Sequence, residues 1–231
     1  MNKGQNEKDW NREVSKQISV YKTATALLEL NNCLRPASAL VPWHIHAEGR
    51  EEENGYSLIR TVMVDYSRKD SVSVYANLSP ELVKYLFAQI QRGVEDFDYF
   101  QQKIFRNKDA RERDAGIVTC FSIRRKVMDA SGNERRMPWQ VEIQNGTGKL
   151  AYNKNGGQFC AKGTYKKERA VSVSLKDEDI FMLFTRADAV IRAFEQDSLF
   201  RKKNAKNFQK LYQMLEALIL GKENDRLDKA A

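Results

Sequence analysis

The chain has 231 residues, 42% of them hydrophobic and 30% charged, and its 39 lysines and arginines outnumber 31 acidic residues, which gives a net charge of +8. This composition argues against a largely disordered chain, and no apolar run approaches the roughly 20 residues that a membrane-spanning helix needs. The charge fits either a polyanionic partner or simply a soluble basic surface. Cys33, Cys120 and Cys160 share no metal or redox spacing, so we expect a soluble, cytoplasmic protein in a reducing compartment.

The first half of the chain predicts four strands and one helix. Alternation of apolar and polar residues places the strands at residues 18–30, 40–47, 56–66 and 72–77. Ser79 is a good N-cap for the helix, with Pro80 in the first helical position. Apolar residues at helical spacing follow, and the pattern continues as far as Phe100 and Ile104. The charged residues 106–116 then predict a connector.

The second half repeats this plan and ends in an additional helix. Its predicted strands cover residues 117–127, 139–144, 149–153, 158–166 and 170–175. Asn145-Gly146 is typical of a tight turn, and Asp177 predicts the cap of the helix that follows. An apolar stripe indicates a last helix over residues 205–220, which Gly221 ends.

Matched landmarks in the two halves indicate an internal duplication. Residues 66–87 and 165–184 both run from tyrosine through a charged turn, Val-Ser-Val and a helix cap to Leu-Phe, and residues 41–45 match residues 137–141. We therefore predict an α+β fold of two tandem ββββα repeats that form packed antiparallel sheets with helices. The repeats cover residues 18–105 and 117–196 in one intertwined domain, and a C-terminal helical extension covers residues 197–222.

Several short stretches resemble the Whirly family of single-strand-binding proteins. Residues 20–27 lie where Whirly proteins carry a Lys-Gly-Lys-Ala-Ala-Leu strand, and they keep Lys22, Ala26 and Leu27 while Ala24 replaces the second lysine. Residues 65–69 resemble the turn before the fourth Whirly strand. Val171-Ser172-Val173, followed by Asp177 and Phe184, resembles the last strand and helix of that family.

The resemblance covers most of residues 18–196 and implies a whirly-like fold, in which two sheets pack together and helices hold the halves in place. It also implies binding of single-stranded DNA and assembly through terminal helices. Pur-type proteins that bind purine-rich elements use the same repeat plan, so the resemblance is one of shared architecture.

Residues that could carry catalysis or bind a metal are few. His44 and His46 stand two apart on a predicted strand, as a metal pair would, but Gln140 and Glu142 occupy the matching positions and no third ligand is evident. We interpret them as facing solvent or a groove. Residues 146–151 match a dinucleotide-binding fingerprint in letters only, because that motif must open a helix. We expect no cofactor, no metal, no small-molecule substrate and no catalysis.

Basic and aromatic residues alternate in both halves, as a site for single-stranded nucleic acid requires. The predicted binding residues of the first half are Tyr21, Lys22, Trp43, Arg60, Tyr66, Arg68, Lys69 and Tyr75. Those of the second half are Trp139, Tyr152, Lys154, Lys162, Tyr165, Lys166, Lys167 and Arg169. Tyr75 should point outward because Val74 and Ala76 take the core face. Trp43 and Trp139 are either stacking platforms or landmarks of the core.

The sequence therefore favours a non-catalytic protein that binds single-stranded DNA, or RNA, with little sequence specificity. The alternative is a protein–protein scaffold that docks through the last helix. Five apolar residues of that helix form a stripe too wide to leave in water, which predicts a homo-oligomer or packing on the chain itself. They are Leu211, Met214, Leu215, Leu218 and Ile219.

Overall fold

The computed structural model describes residues 15–36, 45–46, 55–67, 69–107, 109–112 and 114–199. The chain divides into two compact units. The first takes in the residues up to Cys33 and those from Leu58 to Asp188, and the second takes in the segment Leu34–Ser57 and the residues from Ala189 onward. No helix in the described ranges is both long and apolar enough to cross a bilayer.

The first sheet has four antiparallel strands in sequential order. They are β1 (Gln17–Lys22), β2 (Ala26–Cys33), β3 (Leu58–Asp65) and β4 (Val72–Leu78). Side chains alternate between its faces, and the register aligns Leu28 with Met63 and Met63 with Val74 on the buried one. We call this the inner face and the opposite one the outer face.

A hairpin replaces the single strand that we predicted over residues 18–30. Thr23 ends the first strand because its backbone N–H donates to the carbonyl of Ala26 at 2.8 Å, and its hydroxyl accepts the N–H of Ala26 at 2.9 Å. The alternation of apolar residues runs unbroken through such a short turn, so periodicity alone did not reveal it. The strand predicted over residues 40–47 lies outside the described residues except for Ile45 and His46.

Helix α1 (Pro80–Arg92) begins as predicted. The Ser79 hydroxyl accepts the N–H of Leu82 at 3.2 Å, and Pro80 stands at the start of the helix. Gly93 ends it in the left-handed conformation, with φ of 62°, and donates its N–H to the carbonyl of Ile90. The predicted helical continuation through Phe100 and Ile104 is wrong, because the chain leaves the helix at this glycine and enters a strand.

That strand opens the second antiparallel sheet. The elements of this sheet are β5 (Asp96–Arg106), β6 (Ala115–Lys126), β7 (Trp139–Tyr152), β8 (Gln158–Cys160) and β9 (Lys166–Leu175). β5, β6 and β7 pair in order, and β7 pairs with β9 along most of its length and with β8 at its end. The α+β class with packed antiparallel sheets is thus confirmed, whereas residues 96–106 extend the second sheet and not the helix.

The turn predicted at Asn145-Gly146 is wrong, since β7 continues through both residues. A bulge in the pairing with β9 falls between them. A Cβ atom on Gly146 would stand 2.1 Å from the carbonyl oxygen of Lys166, so only glycine permits this approach of the two strands. The hairpin predicted around Asn155-Gly156-Gly157 is present, because residues 150–152 pair with residues 158–160.

Helix α2 is described over residues 177–199. Lys176 occupies the N-cap position, since its carbonyl accepts the N–H of Ile180 and its own N–H donates to the Asp179 carboxylate, so Asp177 is not the cap that we predicted. The Asp177 carboxylate accepts hydrogen bonds from Arg125 and Trp139 instead. The two helices meet where the Phe87 and Phe181 rings lie 5.8 Å apart.

In the described residues both halves consist of antiparallel strands followed by a helix, with four strands, β1 to β4, in the first half and five, β5 to β9, in the second. Val74 of β4 and Val173 of β9 are both buried and both stand shortly before a helix. Superposition of the halves, with Tyr66 on Tyr165, stays a prediction, as does the division into repeats at residues 18–105 and 117–196. Residues 41–45, which match residues 137–141 in the sequence, lie outside the described residues except for Ile45.

Candidate nucleic-acid interface

The edge strand β4 lies against the second sheet along one row of side chains, which we call the seam. Cross-strand register aligns its four members, Lys103, Thr119, Asn145 and Arg169. The Lys103 ammonium donates to the carbonyl of Asn77 at 2.9 Å. Asn145 bonds both backbone groups of Tyr75, each at 3.0 Å.

One row beyond the seam, the same face of the second sheet is open to solvent. The register aligns there Phe105, Ile117, Thr147 and Lys166, which we call the shelf. Phe105 is 53% exposed and Ile117 is 42% exposed. The shelf is thus an apolar surface beside the Lys166 cation, and it lies next to the row of the sheet that β4 covers.

Across the seam, β4 carries an aromatic ring on the outer face of the first sheet. Tyr75 is 48% exposed, as predicted from the alternation of β4, and the Arg60 guanidinium lies 5.4 Å from its ring centre. Arg60 also donates from Nε to the side-chain oxygen of Asn77 at 3.2 Å. In the described part of the chain Arg60 pairs with no carboxylate. The shelf, Tyr75, Arg60 and Arg169 together are called the step below.

The start of β9 concentrates positive charge at the step. Lys166, Lys167 and Arg169 are exposed and form no ion pair with the residues that the structure describes. Glu168 is the single acid in this run, and its carboxylate accepts a hydrogen bond from the Thr147 hydroxyl at 3.2 Å. The four residues therefore carry a net charge of +2.

Lys103 has a different role from these exposed cations. Burial lowers the pKa of its ammonium, because the charged form loses contact with water. Its bond to the Asn77 carbonyl ties β4 to β5, and we assign it to the structure of the seam.

Other predicted residues of the first half lie away from the step or outside the described ranges. Lys22 is exposed at the end of β1, and Tyr66 and Lys69 are exposed in the turn between β3 and β4. Tyr21 lines a cleft of about 470 Å³ between β1 and α2, where burial and the nearby Asp179 raise its pKa. The structure does not describe Trp43 and Arg68.

In the second half, three predicted residues are exposed on the turns at the end of the sheet. Tyr152 and Lys154 lie on the β7–β8 hairpin, and Lys162 lies on the turn after β8. Tyr165 packs instead against a small buried cluster on the other face of the sheet, and its hydroxyl donates to Gln144 at 3.2 Å. Burial and the neighbouring Cys120 raise the Tyr165 pKa, and this ring is not free to stack.

Trp139 is a landmark of the core, which corrects its place among the binding residues. Only 1% of the residue is exposed, and its indole N–H donates to Asp177 at 2.7 Å. The Arg125 guanidinium lies 5.9 Å from its ring centre and forms a two-pronged ion pair with the same carboxylate. These hydrogen bonds lower the Asp177 pKa, chiefly through Arg125.

The sequence analysis missed Phe105, Ile117, Thr147 and Asn145. Phe105 belongs to a segment that we assigned to helix and connector, and Asn145 was interpreted as part of a turn. Residues 96–99 alternate acidic and aromatic side chains, which is a strand signal, and extending that alternation would have placed Phe105 on the same face as Phe97 and Tyr99. The neighbours of that face depend on strand register, which the sequence of a single strand does not carry.

A serine, a histidine and a glutamate of the second unit are hydrogen-bonded in a row, as in a catalytic triad. His46 Nδ1 lies 2.9 Å from the Ser57 hydroxyl, and His46 Nε2 lies 3.1 Å from the Glu195 carboxylate. Ser57 is 5% exposed and its oxygen already accepts the N–H of Arg35 at 3.0 Å. A nucleophile must be open to its substrate, so we interpret this row as structural.

His46, one of the two histidines considered above as a metal pair, makes other contacts in the structure. The His46 side chain is 12% exposed and stacks on Phe194, which corrects its interpretation as solvent-facing. His44 lies outside the described residues. Within the described residues no three histidine, cysteine or acidic side chains stand close enough to hold a metal ion.

Comparison with known proteins finds similarity only at the level of structure. No protein-family model and no curated protein matches the chain. Among solved structures, that of the plant transcriptional regulator PBF-2 matches with a TM-score of 0.47 and 7% identity over 83% of this chain and 96% of the other. WHY1 from Arabidopsis thaliana matches with a TM-score of 0.47 and 6% identity over 84% and 94% of the respective chains.

Both are Whirly proteins, the family whose short motifs the sequence resembles. The match extends over most of each chain and concerns the course of the backbone. At so few identical residues it transfers no residue role to this protein.

Proposed function

We propose that the protein binds single-stranded nucleic acid at the step and catalyses no reaction. The observation that carries the proposal is the exposure of Phe105 and Tyr75 beside Arg60, Lys166 and Arg169, three cations that form no ion pair with a described residue. Flat rings next to positive charge are what an unpaired strand, with its free base faces and its phosphates, requires of a protein.

The chemistry of the step favours single strands over duplex. Bases in a duplex are stacked on one another and hide their faces, whereas a single strand can turn its bases onto Phe105 and Tyr75. Each stacked base contributes about 1–3 kcal/mol. Phosphate contacts supply most of the remaining affinity, because each one releases condensed counterions.

The same surface offers little for reading base identity. Base edges are recognised by side chains whose donors and acceptors are free. The Asn145 amide is engaged with β4, and the Thr147 hydroxyl donates to Glu168. Sequence specificity is therefore expected to be low, and both DNA and RNA are candidate ligands.

Fluorescence anisotropy with labelled oligonucleotides of one length tests the proposal. We expect tighter binding to single-stranded DNA or RNA than to blunt duplex. The logarithm of the binding constant should fall with the logarithm of salt concentration, with a slope of about −0.7 for each phosphate contact. Equal affinity for duplex, or no dependence on salt, would contradict the proposal, and gel analysis that finds oligonucleotides cut would contradict its non-catalytic part.

Assembly and cellular location belong to the proposal as well. The helix that we predicted over residues 205–220 falls outside the described residues, so the homo-oligomer and the rival scaffold function both rest on the apolar stripe in the sequence. Light scattering of Leu215→Asp/Leu218→Asp tests them, since smaller folded particles are expected if the stripe holds subunits together. A wild type that is monomeric at micromolar concentration contradicts the oligomer. A cytoplasmic location, in association with nucleic acid, is testable by fractionation.

A further inference from the structure

We infer that Asn145 is the positioning residue of the step: its side-chain amide takes the place of a neighbouring strand on β4 and thereby fixes Tyr75 for stacking. The inference rests on the proposed function and adds a residue that does not itself touch the ligand.

The Asn145 side chain makes the two hydrogen bonds to β4 that a residue of a neighbouring strand would make. β4 pairs with β3 on one side only. On its other side the N–H of Tyr75 donates to Asn145 Oδ1 at 3.0 Å, while Asn145 Nδ2 donates to the carbonyl of Tyr75 at 3.0 Å. A carboxamide has the donor and acceptor of a peptide group, so it reproduces the two bonds that a paired residue exchanges with its partner.

Asparagine is well suited to this position. Its second amide hydrogen reaches the Thr119 hydroxyl, at an Nδ2 to Oγ1 distance of 3.2 Å, so the donor group is used toward both β4 and β6. Aspartate would keep the acceptor for the Tyr75 N–H but would set an anion against the Tyr75 carbonyl. The bulge beside Gly146, where the backbone of β9 leaves no room for a Cβ atom on β7, fixes the place from which this side chain reaches β4.

The tie acts on the ring through the backbone that carries it. Arg60 is bonded to Asn77 of β4 and lies over the Tyr75 ring. A fixed Tyr75 ring therefore also holds the Arg60 cation in place beside a base that stacks there. Lys103 provides a separate tie to β4 at Asn77. Loss of the Asn145 amide should therefore loosen the ring without detaching the strand.

A double-mutant cycle on the full chain tests the inference. Affinity for a labelled single-stranded DNA oligonucleotide is measured for wild type, Asn145→Ala, Tyr75→Ala and the double variant. We expect Asn145→Ala to weaken binding about three- to tenfold in wild type, because an unfixed ring must be ordered on binding, and to have almost no effect in the Tyr75→Ala background. The control Gln140→Ala removes an amide from the same strand, where it bonds Ser172, and should leave affinity unchanged.

Amide hydrogen exchange of the free protein provides a second measurement. Exchange of the Tyr75 N–H should become at least about tenfold faster in Asn145→Ala, because its hydrogen-bond acceptor is gone. Unchanged exchange, or affinity losses that add in the double variant, would overturn the role of Asn145. A wild type that binds no oligonucleotide overturns the proposed function itself. Asn145→Asp, which has the same shape as asparagine, enters the same cycle if Asn145→Ala does not fold.

Discussion

Two arginine–aromatic pairs occupy different regions of the first unit and differ in what surrounds them. Arg125 lies 5.9 Å from the ring centre of Trp139, and Arg60 lies 5.4 Å from that of Tyr75. Trp139 is 1% exposed and Asp177 neutralises its arginine, whereas Tyr75 is 48% exposed and Arg60 bonds the neutral amide of Asn77 and no carboxylate among the described residues. The first pair holds the fold together, and the second presents a ring and a charge to solvent.

Two arginine–aromatic pairs of the same residue types can thus have different roles in one protein. A cation over a ring contributes energy in both places. At Trp139 the Asp177 carboxylate pairs with the arginine and accepts the indole N–H, and the surrounding core covers the ring. At Tyr75 a ligand phosphate and a base can still take the corresponding places. Burial and the presence of a counter-charge separate a pair that only stabilises the fold from a pair that solvent can reach.

Truncation of the buried ring should give the largest effect. We expect Trp139→Ala to lower the free energy of unfolding by about 3–5 kcal/mol, since it leaves a cavity and removes one of the hydrogen-bond donors to Asp177. Tyr75→Ala should change this free energy by less than about 0.5 kcal/mol, because the ring is on the surface. Urea denaturation measures both. Equal losses of stability would erase the distinction between the two pairs.

Truncation of the exposed rings should have its effect on binding. Tyr75→Ala and Phe105→Ala are each expected to weaken binding of single-stranded DNA by about 1–3 kcal/mol, the contribution of one stacked base. Phe100→Ala is the matched control, because Phe100 is 62% exposed on the same strand as Phe105 but on the opposite face. Anisotropy titration of the three variants decides whether the shelf or any exposed ring is responsible.

Removal of the counter-charge should sharpen the comparison at the buried pair. Asp177→Asn is expected to cost about 1 kcal/mol of stability at neutral pH, a low value for a bonded charge because the carboxylate is more than half exposed. The pKa of Asp177 is lowered in the folded protein. Its contribution is therefore full above the ordinary carboxyl pKa and is lost as pH falls through the lowered value.

The difference between wild type and Asp177→Asn should accordingly shrink in acid. Urea denaturation at pH 7 and below pH 4 measures it. A difference that persists unchanged in acid would mean that the charge of Asp177 does not stabilise the pair.

The smallest expected effect concerns one cation of the step. Lys166→Gln should reduce the magnitude of the salt slope by about 0.7, the contribution of a single phosphate contact to a single strand. Lys126→Gln, which removes a charge that pairs with Asp96 at the other end of β6, should leave the slope unchanged. An identical change in both variants would show that net charge, and not the step, governs binding.

Local signals in the sequence determined most of the elements and part of the site. The Ser79 cap and Pro80 fixed the start of α1, and alternation in β4 predicted the outward direction of Tyr75. The charged run 166–169 was likewise evident from the residues alone. These features depend on interactions within a few residues, which a sequence displays directly.

Tertiary structure decided which of the aromatic residues are exposed. Trp139 and Tyr165 have the same strand context in the sequence as Tyr75, but core packing covers them. Phe105 and Ile117 meet Lys166 only because four strands pair in one register, and Asn145 reaches Tyr75 across 70 residues of chain. Long-range packing sets the register of the strands, and it also sets where the first sheet covers the second. The physical reason is that burial belongs to the assembled sheets, whereas periodicity belongs to each strand by itself.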